Sequence, residues 1–508
     1  MSMSINTNLG ALMASSAASS VNKMMETSMN RLSTGLRINT ASDDAAGVAI
    51  ASRLTSGIMG TNQAIRNAGD AQALIDTAEG AQAETANILQ RMRELAVQAA
   101  NDTNSSSDRV SLNDEVVQLT AELERIAQTT TWAGQKILDG SFVTKNFQIG
   151  ADVGQTLTVS QKSMRPSEIG DFRFDTTAVA AVATATTATN TLTETGITVL
   201  GRLGSASAGV TAGDSAKSLA AAVNTDSSST GVKASAHTAV RFALSGDPTT
   251  STSFTLNGGG TATTISASVT DNADLSALLT AINTYSGTTG VTAEFDGSDK
   301  SKLILREADG DNITINNFTS QAGVAGATAL SATIEKQSNY AGTSFTTGVT
   351  LTSDAGVATT ALDSTVVTGV ARLSSTASFT ISDSATDATL GYTGTSASGS
   401  STLSKVSDLS LTTRANAESA IGVIDTALGM VSESRASLGA VSNRIDATIS
   451  NLTNISTNLE AGRSSIQDAD FAAESTNLAK AQILQQASTA MLAQANASKQ
   501  GVLQLLQG

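Results

Sequence analysis

The sequence predicts a multidomain α + β protein. Long coiled-coil-like terminal helices, N- and C-terminal ends paired, carry a β-rich, Ser/Thr/Gly-rich outer insertion. Three observations predict it. Residues 1–131 hold no aromatic and no proline, and residues 411–508 hold no proline and one aromatic, Phe471. Apolar residues at both ends recur at alternating steps of 4 and 3, the spacing of a helical seam. The stretch from about 140 to 410 is rich in Thr, Ser, Gly and Val and carries both prolines, Pro166 and Pro248, a composition suited to strands and turns.

A long helix is expected to start near Ser42, a good N-cap followed by Asp43 and Asp44, and to run to about Asn101. Its apolar positions Ile65, Ala68, Ile75, Ala78, Ile88, Met92, Leu95 and Ala99 keep helical spacing. Some 60 residues at 1.5 Å each make a helix about 90 Å long, which needs lengthwise partners. The polar stretch Asn101 to Asp108 breaks it, and a second helix carries Leu112, Val116, Leu119, Leu123 and Ile126. TTTWAGQ ends that helix, with Trp132 expected to pack its end as core.

Near the other end Ile421, Ile424, Leu428, Val431, Leu438, Val441, Ile445, Leu452, Ile455 and Leu459 keep the seam until Gly462, with Arg435 and Thr448 at the two seam positions between the groups. A third long helix pairing with the first two makes the middle an insertion. The outermost segments, with Ile5, Leu9 and Leu12 on one side and Leu484, Ala487, Met491 and Ala495 on the other, are amphipathic but made mostly of Ala, Gln, Ser and Asn. Each buries little apolar area alone, so both are expected to fold on association.

The middle opens with an expected hairpin of Asn146–Gly150 and Gln155–Ser160. An internal repeat follows: SLAAAVN at 218–224 and ALLTAIN at 277–283 are each followed, six residues later, by Gly-Val-x-Ala, with a period of 59 residues. Each copy reads as a short helix, a polar loop and strands such as VRFAL (240–244) and KLILRE (302–307). A further strand-rich segment, including ASFTIS (377–382), fills about 321–405.

Composition excludes several function classes. With 30 Lys and Arg against 45 Asp and Glu the net charge is −15, so no nucleic acid partner is expected. Zero cysteines exclude thiolate metal sites and cysteine nucleophiles, and the single histidine, His237, excludes an HExxH zinc hydrolase. No metal, cofactor or catalytic role is expected; composition leaves two-carboxylate glycosidase chemistry open, but no compact catalytic motif appears. The pairs Asp296, Asp299 and Asp309, Asp311 lack the ligand count of a Ca²⁺ loop and read as solvated turns. Asp468 and Asp470 read as helix-start charges. No run of 18 apolar residues and no cationic, apolar leader is present, so neither membrane insertion nor a cleaved signal is expected.

Three segments resemble a known family. RLSTGLRINTASDDAAG (Arg31–Gly47), LEAGRSSIQDADFAAES (Leu459–Ser475) and KAQILQQASTAMLAQAN (Lys480–Asn496) are similar to the hallmark terminal segments of bacterial flagellins, with Ser42 where the family often has lysine. The resemblance covers roughly 1–165 and 405–508, and the 59-residue repeat resembles a module of flagellin outer regions. It implies a structural subunit of the flagellar filament, secreted and extracellular. Such a chain is exported unfolded and polymerised through its terminal helices into a helical propeller for swimming. The implied partners are the chain itself as a helical homopolymer, an export chaperone, the filament cap and the hook-filament junction proteins.

On this reading the innermost domain is 1–42 plus 468–508. A helical-rod domain with the hairpin is 43–180 plus 406–467, and variable outer β-rich domains fill 181–405, including two related modules near 181–260 and 261–320. Ile5, Leu9, Leu12, Leu484, Met491, Val502 and Leu505 are the expected subunit-packing residues; the alternative makes them intrachain core. Arg91, Leu95 and Gln98 share a helix face by their spacing. Together with Gln90 and Glu115 they resemble the segment by which many flagellins engage a Toll-like receptor of animals. A hook-filament junction protein shares the architecture but predicts weaker matches to the Arg31 and Lys480 segments. A flagellin with an enzymatic outer domain is the third reading.

Overall fold

A computed structural model describes residues 7–507 apart from 177, 179–183, 185–196, 210, 212, 247–250, 298, 322–329, 353–361 and 384–397, and of 499–507 the backbone alone. The chain divides into two compact units, Met1–Asp76 with Thr144–Ser160 and Leu438–Gly508, and Thr77–Val143 with Gln161–Ser437. Helices α1 (Leu9–Thr34), α2 (Ala45–Ala100) and α3 (Ser106–Thr129) come from the N-terminal part. Among the described residues of the middle lie the short helices α4 (Ala216–Thr225), α5 (Ser227–Thr230), α6 (Ser276–Thr284) and α7 (Ser286–Thr289). The C-terminal part gives α8 (Arg414–Gln467) and α9 (Phe471–Gln507). Among the described residues no helix is long and apolar enough to cross a membrane.

Local chemistry sets the helix ends. Asp44, two residues beyond the expected Ser42, caps α2: its Oδ1 accepts the Gly47 N–H at 2.9 Å. Asp43 holds the preceding loop by accepting the N–H groups of Asn39 and Thr40, bonds that keep its carboxyl below the usual range. A reciprocal capping box of Ser105 and Asp108 starts α3. Gly462 does not end α8. Solvent-facing glycine costs a helix only about 1 kcal/mol, and the chain continues to Gln467 before Asp470 caps α9 through the N–H groups of Ala472 and Ala473.

The buried stripe of α8 is Ala420, Ile424, Ala427, Val431, Ser434, Leu438, Ile445 and Leu452. Ile421 and Leu428 flank it half-buried and Ile455 is exposed, so alanine and serine take seam positions that were expected to be isoleucine, leucine and arginine. Polar bonds fix its antiparallel register against α2 in each unit: Asn62–Ser456 and Gln72–Ser442 in the first, Gln82–Ser434 and Arg93–Asp425 in the second. The hairpin Thr144–Gln148 with Thr156–Ser160 is antiparallel, and Asn67 donates to its Gln148 carbonyl. Trp132 is half-buried in a two-residue hairpin turned by Ala133 and Gly134, both at positive φ, and so is not a core residue at the end of α3.

The β-rich part of the second unit is antiparallel. An eight-stranded sheet centres on the 13-residue strand Lys233–Ser245, with Asp299–Glu307 on one edge and Val370–Ser375 and Ser331–Gln337 sharing the other. Two four-stranded sheets accompany it. The 59-residue repeat is visible atom by atom. Asn224 and Asn283 each hold the backbone of the strand ten residues later, donating to its carbonyl and accepting its N–H (Ala234 and Ala293). Gly231 and Gly290 end α5 and α7 at φ 76° and 79°, a conformation that favours glycine. Leu219 and Val223 of α4 pack with Ile197, Phe379 and Ile381. Leu278 and Ile282 of α6 enter the larger core around Phe242, Phe254 and Phe318.

Replacing Asn224 or Asn283 by alanine removes both bonds of one copy. A loss of about 1–2 kcal/mol of second-unit stability is expected for each, read as a lowered urea midpoint at unchanged slope.

Candidate assembly interface

Helices α1 and α9 pair antiparallel within the first unit. Asn8 meets the Ala495 carbonyl at 3.3 Å, Gln485 meets Asn22 at 3.0 Å, and Ser28 donates to Glu474 at 2.6 Å. Beyond α1 the backbone is zipped to the α8–α9 junction, Arg37 N–H to the Gln467 carbonyl and Ala469 N–H to the Gly35 carbonyl. The residues turned inward run Ala11, Ala14, Ala18, Val21, Met25, Ser28 and Leu32 on α1, and Glu474, Leu478, Ala481, Gln485, Ser488, Leu492 and Ala495 on α9. Both series step by 3 and 4, a heptad seam.

This seam is thin. Of its side chains only Ala14, Val21, Ser28, Glu474 and Ala481 are buried. A fully buried valine is worth about 1.5–3 kcal/mol and alanine less, whereas ordering a residue costs about 1–2 kcal/mol. Three small buried apolar side chains, with Met25, Leu32, Leu478 and Leu492 only half-buried, do not offset the ordering of 26 and 37 helical residues, even with the helices' own hydrogen bonds in place. The one buried charge in the seam, Glu474, is held by the Ser28 hydroxyl and faces Arg31 at 3.8 Å.

The expected packing residues lie off this seam. Leu9, Leu12, Met491 and Leu484 are 63, 73, 67 and 37% exposed, joined by Met13, Met24, Met29, Phe471 and Ile483. Ile5 lies outside the described residues, and of Val502 and Leu505 only the helix backbone is described. Alternation of seven-residue small-residue spacing (Ala14, Val21, Ser28) with larger apolar residues beside it was the signal for the seam, and attention to the larger residues alone missed it.

In the second unit Gln90, Arg91 and Gln98 of α2 are exposed, and Arg91 bonds Glu94 at 3.0 Å and Glu115 of α3 at 2.9 Å. Leu95 departs from this face. It is 1% exposed, because it lies on the stripe of Met92, Ala96 and Ala99 that packs inward. Asp296 pairs with Arg241, Asp299 with Lys302, and Asp309 and Asp311 with Lys217, so side-chain ammonium and guanidinium groups already neutralise these carboxylates.

A cavity of about 560 Å³ in this unit is lined by Asp171, His237, Arg306, Tyr340, Arg372 and Arg414 among others. Burial pushes the Asp171 carboxyl up to about 6, against the opposing pull of Arg173 and Arg372. Burial, reinforced by Arg306 and Arg372, lowers His237 to about 4, and its ring stands edge-on to Tyr340 at 4.6 Å.

Comparison with known proteins identifies this arrangement. A family model of the bacterial flagellin N-terminal helical region matches residues 5–143, and one of the C-terminal helical region matches 421–506. A flagellin hook IN motif matches 253–309, the second copy of the repeat. B-type flagellin of Pseudomonas aeruginosa is 38% identical over 508 residues, covering all of both chains. The chain belongs to the bacterial flagellin family. Flagellin B and flagellin A of Vibrio cholerae are each 33% identical, again over the whole of both chains. The chain is thus a structural subunit of the flagellar filament, and the helical ends that the family models match contain the α1–α9 pair.

The acid response of the second unit follows from His237. A histidine whose folded value lies below its unfolded one contributes stability that is full above pH 6.5 and is lost as pH falls to about 4; Asp171, raised, acts in the opposite sense between about 6 and 3.8. Replacing His237 by glutamine is expected to flatten the loss of urea stability between pH 6.5 and 4, leaving the Asp171 slope.

Proposed function

We propose that the off-seam apolar residues of α1 and α9 are the polymer contact, and that the filament grows because this pair reaches full burial only against further copies. The observation that carries the reading is the mismatch within the pair: only small residues and Glu474 are fully buried between the helices, with Met25, Leu32, Leu478 and Leu492 half-buried, while Leu9, Leu12, Leu484 and Met491 face out. Exposed apolar surface of this extent marks an interaction site. Contacts between different faces of identical subunits generate a helical polymer when their rotation does not close into a ring, and this reading takes the open case. Ile5, Val502 and Leu505 complete the set by sequence spacing. The innermost domain of the subunit is then 1–42 plus 468–508.

Around this core the reading adds export of the unfolded chain, for which the absence of cysteine is suited, and growth outside the cell. An export chaperone would cover the same apolar faces before export, and the cap and hook-filament junction proteins would meet them at the filament ends. The exposed Gln90, Arg91 and Gln98, with the half-buried Glu115 beside them, form a polar patch that a host Toll-like receptor could grip, and Leu95 would support it from beneath. No catalytic step belongs to this reading.

Two outcomes test it. Leu12→Asp or Met491→Asp is expected to abolish seeded polymerisation of the full chain while leaving the urea midpoint of the second unit unchanged; filaments of normal length from both variants would refute the contact. Arg91→Ala is expected to lower activation of a receptor reporter cell line by at least about tenfold, the loss of one charge-assisted contact pair.

A further inference from the structure

Methionine is the sulfur-bearing residue of this chain, which has 11 methionines and no cysteine. Its distribution between the units is uneven. In the first unit Met13, Met24, Met29, Met59 and Met491 are 69, 48, 55, 66 and 67% exposed and Met25, on the seam, is half-buried, while Met1 and Met3 lie outside the described residues. In the second, Met92, Met164 and Met430 are 0, 1 and 8% exposed. Four of the five exposed thioethers sit on α1 and α9, on the side of the helices away from their mutual seam, among the leucines proposed to contact other subunits.

We propose that the four exposed thioethers of α1 and α9, Met13, Met24, Met29 and Met491, are an oxidation site that controls the assembly competence of the free subunit, with Met59 of α2 a reactive sulfur outside the contact. The co-reactant is a peroxide. One oxygen atom passes from hydrogen peroxide to the thioether sulfur, forming an S–O bond as the O–O bond breaks and water leaves. Sulfur loses two electrons and the peroxide gains them. The product, methionine sulfoxide, replaces an apolar, adaptable side chain by a polar one with a strong acceptor oxygen. Where burial against another copy is the driving force, each sulfoxide brings an unsatisfied acceptor into the contact. The helices themselves need not unfold, since none of the five belongs to the α1–α9 seam. Methionine sulfoxide reductases reverse the change, so the site acts on addition of subunits without consuming them.

The inference rests on the polymer contact proposed above. It adds a chemical consequence: the four sulfurs of α1 and α9 are open in the free chain and covered in the filament, so growth is oxidant-sensitive and finished filament is not.

The test uses the full chain, hydrogen peroxide and peptide mass spectrometry. Treated free chain is expected to gain one oxygen at Met13, Met24, Met29, Met59 and Met491, with Met92, Met164 and Met430 unmodified. Its seeded elongation should slow at least about tenfold and recover after reductase treatment. Preformed filaments should oxidise at least about tenfold more slowly at Met13, Met24, Met29 and Met491. A variant with leucine at all five positions, a volume-conserving change at exposed sites, is compared with itself: its seeded elongation after peroxide should equal its own untreated rate. Oxidised chain that elongates at the untreated rate would overturn the proposal, as would equal inhibition of the leucine variant. Such a result would leave the aspartate test of the contact untouched. Equal reactivity of these sulfurs in chain and filament would count against both.

Discussion

The pairing of α1 with α9 is the constraint on which the rest of the account depends. Coiled-coil stability comes from large apolar residues in the seam. The fully buried part of this seam is instead alanine, one valine, serine and one glutamate; Met25, Leu32, Leu478 and Leu492 of the seam stay half-buried, and Leu9, Leu12, Leu484, Ile483 and four further methionines lie outside it. Small residues allow close approach, and the Ser28–Glu474 hydrogen bond fixes the register with directional chemistry. The pair is therefore well specified in geometry and poorly supplied with burial. A subunit built this way has a defined terminal shape to present and a thermodynamic reason to present it to its neighbours.

The remaining elements are consistent with ends that must hold a register over a long distance. In both units α2 and α8 are tied by side-chain hydrogen bonds or ion pairs at intervals along their length, from Asn62–Ser456 to Arg93–Asp425. The exposed Arg93–Asp425 pair contributes little to stability by itself, and the half-buried and buried amide–hydroxyl bonds about a kcal/mol each, but all of them discriminate against slippage by a turn. The β-rich modules rely on a different device, an asparagine side chain closing a two-bond ring onto the strand ten residues on, used once in each copy.

Much of this was legible in the sequence because helix periodicity is written in residue spacing. The extents of α2 and α3, the hairpin at 144–160 and the 59-residue repeat follow from pattern and turn chemistry alone. What escaped detection did so for identifiable reasons. On α8 alanine and serine occupy seam positions, and a reading that weights side-chain size assigned the seam to Ile421, Leu428 and Arg435 instead. Leu95 was given two roles on one face, and a side chain can point only one way; burial decided for packing. Spacing identified Leu9, Leu12, Leu484 and Met491 as one apolar set but could not say which helix they faced, because periodicity carries no information about partners. The clusters around His237 and Asp171 join residues more than sixty positions apart and had no local motif.

Amide hydrogen exchange on the full-length chain, dilute and then in filaments, tests the central claim most directly. The account predicts that α1 and α9 exchange rapidly in the solitary chain while the central turns of α2 in the second unit, around Leu89 to Leu95, remain protected. Polymerisation should then slow exchange in both terminal helices at least about tenfold. Terminal helices as strongly protected in the dilute chain as that segment of α2 would contradict it.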